Sequence, residues 1–388
     1  MSKYDIKILF DGPDWTCSGG DVVSGEVLVE VRSDVRCRGI VLTHYWATHG
    51  TMADFGGMRS DSGPRKNIQL CESRALQAGE RLCLPFKFDT DPWPLTYHGD
   101  IINLDHYVHV RVAVDMPWWA FGRKNNLPKQ EERFIVLPGQ TPAQFTGDLR
   151  TVNERFRNYQ PHLGQDNYTS LKDMFSKFNS SLKSIFSVGL KKFVDLGCLG
   201  KSCLGSIVLC VLCVALGQIV GLLLLLWLTI GLLIICCWLY KWLHKKAVSN
   251  LLKDVTILTP VVVVAPEGTW ACHLSFTPRK TFEINELSVT LKGKEIAVPV
   301  KVRGDNDNRG LPSKSLFEHK EIILDGGMLV AGELFSKTLK IALPQTDAWS
   351  LDLASNGVLW TVDVRIDIPK WPDWSHRSHL LMVPRQFL

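Results

Sequence analysis

The chain has 388 residues, a formal net charge of +5 and 46% hydrophobic residues. This length favours two or three domains, and the mild positive charge gives no reason to expect a nucleic-acid partner. The eleven cysteines show no paired spacing, which argues against a disulfide-rich secreted protein and for a reducing compartment. The segment Met1–Lys7 lacks the apolar stretch of a signal peptide, so we expect the first part of the chain in the cytosol.

Short alternating segments dominate residues 1–140. Apolar and polar residues alternate in Gly25–Val31, Leu82–Phe88 and Val108–Val114, and Gly, Pro and Asp residues separate such segments. A period of two residues, bounded by turn residues, indicates antiparallel strands. The sequence therefore predicts a β-sandwich over this range.

The pattern changes after residue 140. Residues 141–170 are polar and irregular and predict a linker, whereas apolar residues in 171–200 recur at steps of three and four. That spacing is typical of an amphipathic helix. A helix packed on a sandwich would show the same pattern, but its Phe-rich and Lys-rich character favours a helix lying in a membrane interface. The residues assigned to this face are Phe175, Phe178, Phe186, Phe193, Lys191 and Lys192.

Residues 204–240 contain no charged residue and predict a membrane-embedded segment. As one helix it would be about 55 Å long, against a hydrocarbon core of about 30 Å. Two limbs that bend at Gly217 and Gly221 fit better, although the same glycines match a helix-packing motif that would promote dimers. We expect a transmembrane or re-entrant hairpin. The residues assigned to membrane insertion are Leu204, Leu216, Gly217, Gly221, Trp227, Trp238 and Tyr240.

Basic residues flank this segment on both sides, and no acidic residue occurs between Asp195 and Asp254. Positive charge at both ends suggests contact with anionic lipid headgroups and places both flanking parts on the cytosolic side of an unspecified membrane. The chain is therefore expected to be an integral membrane protein. Cysteines near the interface are candidates for S-acylation, although cysteine is also a common apolar filler. They are Cys198, Cys203, Cys236 and Cys237.

Residues 251–388 repeat the pattern of the first half. Leu76–Glu80 is matched by Leu329–Glu333, and Val108–Val112 is matched by Val362–Ile366, in the same order and at nearly equal spacing. Single matches of short β-patterns arise by chance, but two ordered matches do not arise readily. The sequence predicts a tandem duplication of one β-sandwich.

The order of these motifs resembles that of the arrestin family. The motifs in the first half are, in order, Gly20–Val27 (Gly-Asp-Val-Val-Ser-Gly-Glu-Val), Val35–Leu42, the Pro-Phe strand Leu84–Phe88, and Tyr107–Val112. After them, Pro117-Trp118 resembles a corner of the α-arrestin branch. The resemblance implies an all-β fold of two arrestin-like, immunoglobulin-like lobes. It also implies a scaffold or adaptor in trafficking or signalling. The apolar insert has no counterpart in typical arrestins.

The sequence contains no catalytic constellation, metal pattern or cofactor motif, so we expect neither an enzyme nor a bound cofactor. His376 and His379 have no Cys or carboxylate pattern beside them. Three arginines cluster around the early strands, Arg32, Arg36 and Arg38, and suggest a surface for acidic or phosphorylated tails of a protein partner. A solvated strand face explains them equally well. The alternative function is an oligomeric membrane effector or pore-like assembly, and a homo-oligomer is left open.

Overall fold

The computed structural model describes residues 3–12, 15–50, 58–114, 129–163, 229, 251–259, 261–298 and 312–388. Most of these residues lie in β-strands, which confirms the predicted all-β class. The strands form two sheets in each half of the chain, and two large hydrophobic cores lie mainly in the separate halves. The described protein therefore consists of an N-terminal and a C-terminal β-sandwich lobe.

The strands of the N-terminal lobe follow one another along the chain. They are β1 (Tyr4–Phe10), β2 (Thr16–Ser18), β3 (Val22–Val31), β4 (Val35–His49), β5 (Lys66–Cys71), β6 (Arg74–Leu76), β7 (Arg81–Asp89), β8 (Tyr97–His98), β9 (Asn103–Val114) and β10 (Lys129–Leu137). One sheet has the order β1-β3-β7 and the other β2-β10-β9-β4-β5, with β6 beside β4 and β8 beside β9. Alternation explains the packing, since β3 buries Val27, Val29 and Val31 and exposes Glu26 and Glu30.

The C-terminal lobe has the same kind of organisation. Its strands are β11 (Leu252–Leu258), β12 (Val263–Val264), β13 (Thr269–Pro278), β14 (Phe282–Ala297), β15 (Ser313–Leu329), β16 (Phe335–Ala342), β17 (Leu351–Asp352), β18 (Asn356–Asp367) and β19 (Trp374–Met382). One sheet has the order β11-β13-β16 and the other β12-β19-β18-β14-β15, with β17 beside β18. Trp270 and Trp360 are the largest side chains buried in this lobe.

The two lobes share one topology. The strand orders of both sheets correspond position by position, and in each lobe a short strand pairs in parallel with the last strand, β2 with β10 and β12 with β19. All other strand pairs in the described residues are antiparallel. This correspondence is what a tandem duplication would produce.

The matched turn sequences also occupy equivalent places. Gly79 has a φ of 86° and Gly332 a φ of 81°, in the left-handed region that favours glycine. The N–H of Gly79 donates to the carbonyl oxygen of Val31 at the end of β3, and the N–H of Gly332 donates to that of Pro278 at the end of β13, both at 2.8 Å. The same turn therefore leads into β7 and β16.

The segment after β10 is more ordered than the sequence indicates. The sequence predicts an irregular linker over 141–170, whereas residues 149–155 form helix α1 (Leu149–Arg155) after a 3-10 turn at Ala143–Phe145. The Asp148 side chain caps α1 by accepting from the N–H of Thr151 at 3.1 Å. Phe145 and Val152 are buried in the core of the N-terminal lobe. Only a few apolar residues anchor this segment, which is why its hydrophobic pattern is faint.

The prediction of an integral membrane protein is contradicted. Within the described ranges no helix is long and apolar enough to cross a membrane. Helix α1 has seven residues and spans about 10 Å, a third of a hydrocarbon core. The residues assigned to membrane insertion (Leu204, Leu216, Gly217, Gly221, Trp227, Trp238, Tyr240), the interfacial helix (Phe175, Phe178, Phe186, Phe193, Lys191, Lys192) and S-acylation (Cys198, Cys203, Cys236, Cys237) lie outside the described residues.

Candidate functional site

The arginines suggested by the sequence lie on the surface of the N-terminal lobe. Arg36 and Arg38 are two residues apart on β4, so both project from its exposed face. Arg32 lies in the turn before β4 and forms an ion pair with Asp5. The structure thus brings Arg36 and Arg38 to one face, while the carboxylate of Asp5 neutralises Arg32. None of the three lines the pocket described below.

The two lobes contact each other through a buried carboxylate. Glu295, near the end of β14, is 0% exposed and accepts hydrogen bonds from the hydroxyl of Tyr97 and from the N–H groups of Asp100 (3.1 Å) and Ile101 (2.8 Å). Burial, and then the hydrogen bond to Glu295, raises the pKa of Tyr97, so its hydroxyl stays protonated and donates. One side chain of the C-terminal lobe therefore holds the loop after β8 in the N-terminal lobe.

A second buried contact lies beside it. Asn356, at the start of β18, is 0% exposed, and its Nδ2 lies within hydrogen-bond distance of the Thr48 hydroxyl (2.9 Å), the Arg59 carbonyl oxygen (2.8 Å) and the Asp61 carboxylate (2.7 Å). The N–H of Ser355 donates to the same carboxylate at 3.0 Å. Asn356 and Asp61 are 295 residues apart in the sequence, so this contact joins the two lobes.

The N-terminal side of this junction carries a charged cluster. Buried Asp105 on β9 hydrogen-bonds with His49 Nε2 and with His98 Nε2 at 2.8 Å, and Arg133 lies 3.3 Å away. Burial alone raises the pKa of Asp105, but the hydrogen bonds from His49 and His98 outweigh it and leave that pKa below its ordinary value. Asp105 is therefore an anion at neutral pH that fixes β8, the strand containing Tyr97.

A pocket of about 360 Å³ lies between the segment that follows α1 and the edge of β19. Residues 157–160 form one wall, residues 376–380 of β19 form another, and Thr259, Val261 and Val262 form the third. Its lining includes two arginines and two histidines and, among the described residues, no acidic side chain. These basic residues are Arg157, His376, Arg377 and His379.

The charges in the pocket are only partly balanced. Arg377 Nε lies 2.6 Å from the carboxylate of Asp363, whereas Arg157 forms no ion pair with any described residue. Burial lowers the pKa of His376, and burial followed by the charge of Arg377 lowers that of His379. Both histidines are thus neutral at pH 7, and Nδ1 of His379 is buried with no hydrogen-bond partner among the described residues. The pocket offers positive charge and polar atoms to an anionic group.

The walls of the pocket are joined to each other. Asn153 on α1 is buried, and its Oδ1 accepts from the N–H groups of Val262 (2.6 Å) and Val263 (2.9 Å) at the start of β12. The N–H of His162 donates to the carboxylate of Asp352 in the C-terminal lobe at 3.0 Å. These bonds fasten the segment after β10 onto the C-terminal lobe.

The sequence does not reveal this pocket. His376 and His379 stand out as titratable residues, but nothing in the sequence connects them with Arg157 on a different element. The sequence pattern that bears on the pocket is the alternation along β19. It places His376 and Ser378 on one face of the strand and Arg377 and His379 on the other. That alternation does not show that one edge of the strand is uncovered.

Comparisons with known proteins identify no family. No protein-family model matches the chain, and no curated protein matches it. A solved structure described as Spo0M, sporulation control protein, from Bacillus subtilis, is similar at 14% identity and a TM-score of 0.29, over 37% of this chain and 54% of that chain. The aligned region is thus about half of that structure. The two-lobed fold rests on the strand order described above and not on this similarity.

Proposed function

We propose that the chain is a non-enzymatic, two-lobed scaffold of the arrestin-like kind that its sequence resembles. In this role it holds an acidic or phosphorylated segment of a protein partner, as an adaptor in trafficking or signalling would. The observation that carries the proposal is the pocket beside β19, which Arg157, Arg377 and two histidines line with no acidic residue from the described part of the chain.

Charge favours Arg157 in this pocket over Arg32 of the N-terminal lobe. Arg32 already pairs with Asp5, whereas the guanidinium of Arg157 has no acidic partner in the described chain. A phosphorylated residue carries about 1.5 to 2 negative charges and three acceptor oxygens, which suit a guanidinium. Because Asn153 and Asp352 already hold the walls, little ordering is required when a ligand enters.

Binding of phosphopeptides measures this function directly. A pool of fluorescein-labelled nine-residue peptides, randomised around a fixed central phosphothreonine, is titrated with the protein and followed by fluorescence anisotropy. We expect the pool to bind about tenfold more tightly than the matching threonine pool, since loss of a charge-assisted contact is worth roughly 1.4 kcal/mol or more. The difference should shrink as salt is raised.

A pair of arginine variants tests the location. Arg157→Glu reverses the charge in the pocket and should weaken phosphopeptide binding at least about tenfold. Arg150→Glu makes the same change on the exposed surface of α1, where the side chain forms an ion pair with Glu154, and should leave the affinity unchanged. Equal losses in the two variants, or no preference for the phosphorylated pool, would contradict the proposed function.

A further inference from the structure

We propose that the partner segment binds as an added β-strand along the uncovered edge of β19, in line with β12. This inference rests on the proposed function and specifies how the pocket recognises its ligand. Strand addition supplies affinity through main-chain hydrogen bonds, and the side chains around the edge supply the preference for acidic residues.

The edge of β19 is covered over only a short length. β12 pairs with Leu381 and Met382, and among the described residues no strand pairs with 374–380 on this side. At about 3.3 Å per residue, these seven positions offer roughly 20 Å of strand edge. The uncovered stretch coincides with the pocket, which residues 376–380 line.

The backbone along this stretch is oriented for pairing. The N–H groups of Leu381 and Val383 donate to the carbonyl oxygens of Val262 and Val264, both at 2.9 Å. Successive residues of a strand direct their backbone groups to opposite edges, so residues at even spacing from Leu381 face the same edge. The N–H and C=O groups of Arg377 and His379 therefore point into the pocket, in register with the bonds that β12 already makes.

The occupant that fits is an acidic segment from another protein. The chain that leaves the described region after residue 163 is rich in lysine between 171 and 200, so its charge has the same sign as the pocket. An acidic segment has the complementary sign, and Arg157, Arg377 and the polar atoms of the two histidines would surround its anionic group. Charge complementarity thus favours an external strand over the protein's own next segment.

The equivalent edge in the N-terminal lobe has a different chemistry. β2 covers β10 only at Ile135–Leu137, which leaves 129–134 without a strand partner on that side in the described residues. This stretch contains Glu131 and Glu132 together with basic residues. Its mixed charge lacks the uniform sign of the pocket beside β19, so we expect the added strand to select the C-terminal lobe.

N-methylation of the ligand backbone tests strand addition without altering the protein. A single phosphothreonine peptide that binds is made in two further versions. One is N-methylated at positions i and i+2 of the peptide, and the other at positions i+1 and i+3. In an added strand only one of these sets directs its N–H groups towards β19. We expect one version to lose affinity at least about tenfold, and the other to stay within about threefold of the parent peptide.

The outcomes separate this inference from the proposed function. Similar affinities for the two N-methylated versions, whether both are retained or both are lost, would overturn strand addition while phosphate-dependent binding of the parent peptide still stands. Failure of the parent peptide to bind, or its binding without dependence on the phosphate, would overturn the proposed function and strand addition together.

Discussion

Replacement of Glu295 by alanine is expected to lower the free energy of unfolding by about 3 kcal/mol, because it removes the acceptor of three inter-lobe hydrogen bonds. The hydroxyl of Tyr97 and the N–H groups of Asp100 and Ile101 would lose their partner at a part-buried junction. A buried donor without a partner costs about 1 to 3 kcal/mol, and the three donors share one site. Guanidinium-induced unfolding, followed by tryptophan fluorescence, measures the change.

A matched substitution provides the control. Glu318 lies on β15 and forms a partly exposed ion pair with Lys292 at 2.9 Å. Because exposed ion pairs contribute about 1 kcal/mol or less, Glu318→Ala should shift the unfolding midpoint only slightly. If Glu295→Ala lowers stability no more than Glu318→Ala does, Glu295 does not hold the two lobes together.

Phe387→Ala is expected to reduce stability by about 3 to 4 kcal/mol, the usual range for removing a buried aromatic ring. Phe387 is 3% exposed and stacks against Phe145, with ring centroids 6.1 Å apart, while Trp93 meets it edge-on at 6.4 Å. The residue belongs to the C-terminal lobe by sequence but is buried in the core of the N-terminal lobe. Its removal leaves a cavity where the end of the chain joins the two lobes.

The adjacent residue supplies the comparison for this variant. Leu388 is 47% exposed, so Leu388→Ala should change stability by less than about 0.5 kcal/mol. Comparing the thermal unfolding midpoints of the two variants shows whether the loss of stability comes from the buried ring of Phe387 or from any substitution at these last two positions. Similar midpoints for both variants would show that Phe387 does not anchor the lobes.

The sandwich lobes are predictable because their signal is local. In β3 the alternation of valine with glutamate is visible in the sequence and reappears as alternating burial. The turn at Leu76–Glu80 and its counterpart at Leu329–Glu333 likewise depend on short-range chemistry, since each needs a glycine in the left-handed region. Such features require no knowledge of distant contacts.

The junction and the pocket depend on contacts between residues far apart in the chain. Glu295 and Asn356 are ordinary polar residues in the sequence, and only the packing of the lobes buries them against Tyr97 and Asp61. Arg36 and Arg38 lie on the exposed face of β4, but the sequence contains no information on whether a cavity adjoins them, and their role in partner binding stays a prediction. Arg157 gains its role only when α1 is fastened to β12 by Asn153.

Photo-cross-linking tests whether the pocket beside β19 holds an acidic partner segment, because it locates the contact on the protein. A phosphothreonine peptide with a benzophenone group next to the phosphorylated residue is irradiated with the full-length protein, and the modified residues are identified by mass spectrometry. We expect adducts within 157–160 and 374–380, and we expect fewer of them in Arg157→Glu but the same yield in Arg150→Glu. Adducts concentrated around Arg36 and Arg38 of the N-terminal lobe would contradict binding in the pocket beside β19.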